Sequence, residues 1–96
     1  MRLRKSRLAE ADLAAIADYG VDNFGAARAL AYIDTIESLC RELLVHPERG
    51  RAERALRPDL RSLSAGSHRI YYSVESNMLI VRRILHKAME VGRWLG

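Results

Sequence analysis

Cysteine and proline are scarce in this chain, and each scarcity narrows the architectures it can adopt. The 96 residues include a single cysteine, Cys40, so no internal disulfide can form, which suits a reducing compartment. Cys40 lies in the apolar stretch IESLCREL, where we expect a buried packing residue and not a reactive thiol. Both prolines fall between residues 47 and 58, so breaks in regular structure are expected mainly in that stretch.

Metal-ligand clusters and long hydrophobic runs are also missing. His46, His68 and His86 are far apart in the sequence, so no Cys/His spacing indicates a metal site, and we expect no metal or other cofactor. No apolar stretch approaches the ~20 residues that span a bilayer. The opening MRLRKSRLAEADL also lacks the apolar run of a signal peptide. We therefore expect a cytoplasmic protein that does not act at a membrane.

The positive charge of the chain is concentrated in its second half. With 49% apolar and 29% charged residues the composition is that of an ordinary globular domain, and the length predicts one domain covering residues 1–96. Residues 1–48 hold six Arg/Lys and eight Asp/Glu, a net charge of −2, whereas residues 49–96 hold ten and four, a net charge of +6. Such a basic half is a solvated face, a surface for nucleic acid, or a surface for an acidic protein partner.

The first half of the sequence has the apolar period of two helices. From about residue 8, apolar residues recur on one face as far as Phe24, and Gly25 is expected to end this helix. A second helix is predicted over residues 26–45, with a broad apolar stripe that includes Leu30. Because the connection between them is short, the two helices should form an antiparallel hairpin.

The second half reads as a sheet. After the charged, irregular connector HPERGRAERALRPD, the apolar period changes from about 3.6 to 2. Residues 60–64, 68–74 and 78–85 are predicted as three antiparallel strands, a weak first strand covers residues 2–6, and KAMEVGRWLG forms a short helical tail. The predicted fold is α+β in the order β-α-α-β-β-β, with the helical hairpin packed on one face of an antiparallel sheet.

The hairpin can cover only one face of that sheet, so the other face is expected to be polar. In the strand 68–74, Ile70, Tyr72 and Val74 share the predicted core face, which places Arg69 and Tyr71 on the open face.

The next strand adds one of two adjacent arginines to the open face. A three-residue turn at 75–77 would place Arg83 opposite Arg69, a like-charge pair that an anion would stabilise, whereas a two-residue turn would place Arg82 beside Tyr71. The sequence leaves the register open between these alternatives.

Several segments together resemble the ParE branch of the RelE/ParE toxin superfamily. They are AEADLAAIADYGVDNFG, LRPDLRSL, GSHRIYYSV and VRRILHKAME, and the similarity spans nearly the whole chain. The first strand departs from the family pattern because Arg4 and Lys5 stand where members tend to be more apolar. The resemblance implies the toxin of a type II toxin–antitoxin pair, neutralised by a cognate antitoxin with an acidic and apolar C-terminal segment.

The resemblance is compatible with two mechanisms of toxicity. The first, binding to DNA gyrase without a chemical reaction, accounts for more of the candidate residues. A toxin that blocks an enzyme by binding needs complementary charges and apolar anchors, and arginine and tryptophan are frequent hot-spot residues. We expect Arg61, Arg69 and Arg83 to be partner-facing charges and Tyr71 and Trp94 to be apolar anchors. Trp94 either folds back onto the core or is exposed as an anchor.

The alternative mechanism is ribosome-dependent mRNA cleavage of the RelE type. Cleavage by the 2′-hydroxyl requires a base, an acid and cations for the phosphate. His86 is the candidate proton-transfer group, with Arg61 and Arg82 on the phosphate, although His86 is as readily a structural residue at the edge of the core. Whether the chain is an enzyme is left open, with binding favoured, and a basic domain without toxic activity is a third alternative.

Overall fold

The computed structural model describes residues 1–95; Gly96, the last residue of the predicted domain and tail, lies outside them. The elements follow one another along the chain as β1 (Arg2–Lys5), α1 (Arg7–Phe24), α2 (Ala26–Val45), β2 (Arg51–Ala52), β3 (Arg61–Ala65), β4 (His68–Glu75), β5 (Met78–His86) and α3 (Val91–Trp94). The α+β architecture, with a helical hairpin on a sheet and a short C-terminal helix, is confirmed. No helix within residues 1–95 is long and apolar enough to cross a membrane.

Local chemistry accounts for the bounds of the helical hairpin. The Ser6 hydroxyl accepts a hydrogen bond from the Ala9 amide at 3.0 Å and so caps α1. Gly25 adopts φ +88°, a conformation that side chains rarely permit, and this glycine separates α1 from α2. The helices pack closely near this end, where a Cβ on Gly20 would lie only 3.0 Å from the Cβ of Ala29.

The sheet has five strands in the order β1-β5-β4-β3-β2. Strands β2 to β5 are antiparallel neighbours, but β1 pairs with β5 in parallel, so the expectation of an entirely antiparallel sheet is wrong. The reason is topological: the chain leaves β1 through both helices and enters the far edge of the sheet, and the meander then returns to β1. The short strand β2 also forms within the connector that was expected to be irregular.

The turn between β4 and β5 has two residues, Ser76 and Asn77, with φ +47° and +62°. Positive φ at both central positions matches the twist of a tight hairpin, and Glu75 consequently pairs with Met78. The alternative with a three-residue turn is therefore wrong.

An irregularity between Tyr71 and Tyr72 then shifts the register. It places Arg83 opposite Tyr71 and Leu85 opposite Arg69, so Arg69 and Arg83 do not form the like-charge pair considered above. Arg82 is the extra residue on β5 and has no strand partner.

The two faces of the sheet carry separate apolar clusters. On the helix side, side chains of α1 and α2 pack on a continuous core whose fully buried members include Ile36, Cys40, Leu43, Ile70 and Tyr72. The burial expected for Cys40 is confirmed, and burial raises the pKa of its thiol to about 11, which keeps the thiol protonated and unreactive.

The opposite face carries a smaller cluster, which we call the tail patch: Leu60, Tyr71 and Leu85. Met89, Val91 and Leu95 of the C-terminal tail pack on it. Val74, expected in the core, lies near the end of β4 and is 40% exposed.

Candidate partner-binding surfaces

The open face of the sheet carries a chain of hydrogen bonds that begins at Arg69. Arg69 Nε donates to Ser62 Oγ at 3.1 Å, and Ser62 Oγ donates to Glu53 Oε2 at 2.6 Å. Arg51 Nε also donates to Glu53 Oε2, at 2.9 Å. Burial pushes the pKa of Glu53 upward, but the hydrogen bonds from Ser62 and Arg51 outweigh it, so this pKa lies below its usual value.

Arg69 makes no direct ion pair in this network, although its charge contributes to lowering the pKa of Glu53. Among residues 1–95, no carboxylate lies within ion-pair distance of its guanidinium, and only Nε is engaged with a side chain. Arg69 is therefore a half-buried cation with hydrogen-bonding capacity left for an external anion or carboxylate.

Arg82 is the second arginine of the open face. Its Nε donates to Ser73 Oγ at 3.0 Å, and its Nη2 lies 2.7 Å from Glu75 Oε2. The Glu75 side chain is half exposed, so this ion pair is accessible to water and is weakly held. The expected two-residue turn is confirmed, but the register shift places Arg82 beside Ser73 and puts Arg83 opposite Tyr71, so the expectation of Arg82 beside Tyr71 is wrong.

Arg83, predicted as a partner-facing charge, is paired inside the chain. Its Nε and Nη2 each donate to an oxygen of Asp12 at 2.8 Å, and the two side chains are only 12% and 13% exposed. The Ile84 amide also donates to Asp12, at 2.9 Å, and Arg83 Nη1 donates to the carbonyl of Trp94. The hydrogen bonds that Arg83 donates to Asp12 raise the pKa of Arg83 above its usual value. In this conformation Arg83 is not available to a partner.

The other three predicted contact residues have different environments. Arg61 Nη1 donates to the carbonyls of Gly50 at 2.8 Å and Glu48 at 3.3 Å, so it stabilises the connector. Tyr71 is only 3% exposed because the tail covers it, and this burial raises the pKa of its hydroxyl. Trp94 is 43% exposed and lies at the end of α3.

On the helix side of the sheet, the groups of the alternative nuclease site do not come together. Ala65 and His86 are both strand partners of His68. Arg61 precedes Ala65 by four residues on β3. Because Ala65 is level with both histidines, about 13 Å of strand lies between Arg61 and the histidines. Arg82 lies on the opposite face of the sheet, where it contacts Ser73.

The histidines themselves form a structural cluster with Tyr32 of α2. The Tyr32 hydroxyl lies 2.6 Å from His68 Nδ1 and accepts a hydrogen bond from the Ser67 amide at 3.0 Å. The His68 and His86 rings are 5.2 Å apart, and His86 Nδ1 accepts a hydrogen bond from the Ala88 amide at 3.0 Å. Burial lowers the pKa of His68, and His86 lowers it further.

These histidines lie at one end of a groove of about 600 Å³ between the helices and the β3–β4 turn. Its lining is mostly apolar and aromatic, including Tyr19 and Phe24, with Arg28 as its one lining cation among residues 1–95. Phe24 was expected on the buried face of the first helix but is 58% exposed. The sequence does carry a signal for this groove, since the apolar stripes of the two helices are wider than the sheet can cover.

No group of three or more His, Cys, Asp or Glu side chains within residues 1–95 is arranged to hold a metal ion.

Comparison with known proteins gives consistent results. The family model described as the ParE toxin of the type II toxin–antitoxin system parDE matches residues 3–91. Toxin ParE1 of Mycobacterium tuberculosis (strain CDC 1551 / Oshkosh) is 37% identical over 89 residues, which cover 92% of this chain and 91% of the relative. Toxin ParE1 of Caulobacter vibrioides (strain ATCC 19089 / CIP 103742 / CB 15) is 32% identical over 93 residues, covering 97% and 96%.

A solved structure agrees with these relatives. A chain of the chromosomal ParDE TA system from P. aeruginosa superposes with a TM-score of 0.78 at 27% identity, covering 90% of this chain and 95% of that one. The helical hairpin, the five-stranded sheet and the extent of these matches lead to one conclusion: the chain belongs to the ParE toxin family of type II toxin–antitoxin systems.

Proposed function

We propose that this toxin acts in the cytoplasm by binding DNA gyrase, without chemistry of its own, and that this binding arrests growth. The observation that carries the proposal is that the three side chains a nuclease would need lie far apart in the structure. His86 lies among structural partners on the helix side, Arg61 is engaged with the Gly50 and Glu48 carbonyls, and Arg82 is on the opposite face. Cleavage of a phosphodiester by proton transfer requires that these groups all reach the same substrate within hydrogen-bonding distance. A blocking toxin requires only an interface.

The exposed members of the predicted interface support a binding role. Arg69 has a guanidinium without a carboxylate partner among residues 1–95, and Trp94 presents a half-exposed aromatic ring. Arginine and tryptophan are the residue types that contribute most per contact at protein interfaces. We propose that these two side chains contact a partner directly, together with Tyr71 when the tail is displaced.

We further propose that a cognate antitoxin neutralises the toxin through an acidic and apolar C-terminal segment. The similar P. aeruginosa structure is of a ParDE TA system, which supports an antitoxin partner for this chain. The groove between the helices supports the apolar character of this antitoxin segment, because the lining of the groove is mostly apolar and aromatic. Arg28 in the groove and Arg69 on the open face favour carboxylates in the same segment.

The test of the mechanism is expression of the chain without antitoxin, followed by analysis of DNA and RNA from the arrested cells. We expect gyrase-dependent DNA breaks and a DNA damage response, with mRNA intact. His86→Gln should leave toxicity largely unchanged, since that imidazole has no catalytic role in this proposal. Rapid mRNA cuts within codons, lost in His86→Gln, would instead establish the RelE-type nuclease, and absence of arrest would establish an inactive domain.

The partner proposal is tested by co-expression with the product of the adjacent reading frame. We expect a short protein with an acidic and apolar C-terminal segment to copurify with the toxin and to restore growth. Arg28→Glu should weaken copurification, because it places a carboxylate in the groove opposite the acidic segment. Arg41→Glu, on the exposed surface of the same helix, is the matched control. Equal weakening by both variants would indicate a non-specific charge effect and contradict the proposed contact.

A further inference from the structure

The groove between α1, α2 and the β3–β4 turn carries charge of one sign. Among residues 1–95 its lining includes Arg28, His68 and His86 but no aspartate or glutamate, and the rest of the lining is mostly apolar or aromatic. Complementary charge favours association and selects between partners. The occupant that fits this groove is therefore an apolar segment that carries carboxylates, which is the chemistry proposed above for the C-terminal segment of the antitoxin.

Tyr32 holds His68 in this groove in a way that suits either protonation state of the imidazole. The Tyr32 hydroxyl lies 2.6 Å from His68 Nδ1 and 3.2 Å from the carbonyl oxygen of Ala65, and it accepts a hydrogen bond from the Ser67 amide. A hydroxyl has one proton, so it donates to Nδ1 when His68 is neutral. When His68 is protonated, Nδ1 donates to the hydroxyl, and the hydroxyl donates to Ala65 instead.

His86, the other imidazole of the groove, has no such adaptable partner. Its Nδ1 accepts a hydrogen bond from the Ala88 amide at 3.0 Å, and since an amide N–H can only donate, a proton on Nδ1 would break this bond. His68 is thus the imidazole that gains a proton without losing its partner. Its Nε2 has no hydrogen-bond partner among residues 1–95, whereas every buried side-chain nitrogen or oxygen there has one, so Nε2 is open to the groove.

In the free protein the surroundings of His68 oppose a positive charge on its ring. The titratable and charged groups around it are Asp12 and Tyr19 of α1, Arg28 and Tyr32 of α2, and His86 of β5. Burial and the charge of His86 lower the pKa of His68. Asp12 acts in the opposite direction but is already engaged by Arg83. An external carboxylate beside Nε2 supplies the missing counter-charge and so raises this pKa.

We propose that His68 is a carboxylate site of the groove and that the antitoxin partner, on whose proposal above this inference rests, binds there with uptake of a proton. Arg28 precedes Tyr32 by one helical turn, about 6 Å along α2, so Arg28 and His68 accept different acidic side chains of one segment. Arg28 is charged at every pH of interest, whereas His68 becomes cationic as the carboxylate arrives. The complex is therefore tighter in mildly acidic solution than at neutral pH.

Calorimetric titration of the toxin with the purified product of the adjacent reading frame measures both binding and the proton. Titrations at pH 6.5 in two buffers of different ionisation enthalpy give the number of protons taken up, and we expect about half a proton per complex. The dissociation constant should be about three- to tenfold lower at pH 6.0 than at pH 7.5, as for a pKa that rises by about one unit or more on binding.

Two substitutions assign the proton to one ring. His68→Gln keeps a side chain that can bond to Tyr32 but cannot gain a charge, so it should abolish the proton uptake and most of the pH dependence. His46→Gln, at the end of α2 and outside the groove lining, is the matched control and should behave like the unmodified protein. Far-UV circular dichroism at both pH values establishes that each protein is folded.

A second measurement requires no substitution. In NMR spectra of the unmodified toxin, the pH midpoint of the His68 ring signals should rise by about one unit or more when the same product is bound. An unchanged midpoint in a complex that forms would overturn the inference.

The outcomes separate this site from the partner proposed above. Binding with equal affinity at both pH values and without proton uptake overturns the site at His68 and leaves the antitoxin partner standing. Proton uptake that persists in folded His68→Gln belongs to another group and also overturns the site. Absence of binding at either pH overturns the proposed partner, and the carboxylate site with it.

Discussion

The two faces of the sheet differ in how their apolar surfaces are covered. On the helix side, 38 residues of α1 and α2 lie over a continuous core in which Ile36, Leu43, Ile70 and Tyr72 are fully buried. On the other side, a short tail covers the three residues of the tail patch, and the rest of that face is a polar network around Arg69 and Arg82. The first face supplies most of the buried apolar area, and therefore most of the hydrophobic stabilisation.

This difference indicates that stability is distributed unequally over the two faces of the sheet. A face covered by two long helices resists opening, because many contacts must break together. A face covered by a short tail, which is held by three apolar side chains and one hydrogen bond to the body of residues 1–95, opens at lower cost. Regions that move to bind partners are drawn from the less stable parts of a protein. The Asp12–Arg83 pair is where the two faces are joined, because it links α1 to β5 and to the tail.

The largest expected effect is a loss of stability when the Asp12–Arg83 pair is broken. Asp12→Ala leaves the Arg83 guanidinium shielded from water without a counter-charge and removes the acceptor of the Ile84 amide. We expect the free energy of unfolding in urea to fall by about 3–5 kcal/mol.

Glu75→Ala is the matched control on the open face, since Glu75 pairs with the neighbouring Arg82 but is half exposed. It should cost no more than about 1 kcal/mol. Similar losses for the two substitutions would mean that the junction is no more important than a surface ion pair.

The two apolar clusters are compared by truncating one side chain in each. Leu43→Ala removes a fully buried side chain from the helix-side core and should lower the free energy of unfolding by about 2–5 kcal/mol. Val91→Ala shortens a partly buried side chain of the tail and should cost about 1 kcal/mol or less. Urea titration of both variants measures the difference, and a larger loss from Val91→Ala would reverse the ranking of the two faces.

A smaller effect on stability is expected from Tyr32, which links α2 to the β3–β4 turn by hydrogen bonds. Tyr32→Phe removes a hydroxyl that contacts His68 Nδ1, the Ser67 amide and the Ala65 carbonyl. The loss should lower the free energy of unfolding by about 1–2 kcal/mol, as for a hydroxyl with partly shielded partners. Tyr19→Phe, on the exposed helix surface, is the control and should change it by less than about 0.5 kcal/mol. Thermal unfolding that ranks these variants in the opposite order would contradict the anchoring role of Tyr32.

The smallest expected effect is a pH dependence from the same corner of the helix-side face. Burial lowers the pKa of His68, His86 lowers it further, and Asp12 acts in the opposite direction; Tyr32 also faces the ring. Because the folded-state pKa lies below the unfolded value of about 6.5, protonation favours the unfolded chain. Stability is thus intact above about pH 6.5 and declines as the pH falls below it.

His68→Gln should reduce that decline in thermal stability between pH 7 and pH 5. His46→Gln, at the exposed end of α2, should leave it unchanged. If the two variants show the same pH profile as the unmodified protein, the decline arises from other groups.

Much of the secondary structure was predictable because it depends on neighbours in the chain. Gly25 and the proline after α2 delimit the helices, and α2 begins and ends at the predicted residues. The alternation of apolar and polar residues, with a period of two, locates β3, β4 and β5 to within one residue at each end. The segment Arg51–Ala52 was missed because its pairing with β3 depends on backbone hydrogen bonds and not on an apolar pattern.

The candidate surfaces were predictable only in part. The open face with Arg69, Tyr71 and one further arginine follows from strand alternation, and the structure places these residues there. The partner of Arg83 did not follow, because Asp12 lies 71 residues away in the sequence and on a different type of element. The groove was also missed, because the wide apolar stripes of the helices indicate surplus apolar surface but not that two helices and a turn enclose it.

The amino-acid sequence by itself determined where the helices and every strand except β2 form, which faces of these elements are mainly apolar, and that positive charge gathers on the sheet half. Each of these properties arises from residues that are near one another in the chain, through side-chain period, capping and turn preferences. The tertiary structure alone decided that β1 runs parallel to β5, that Arg83 is paired and Arg69 is not, and that the tail lies over Tyr71. These outcomes depend on contacts between residues far apart in the chain, which exist only once the strand order brings them together.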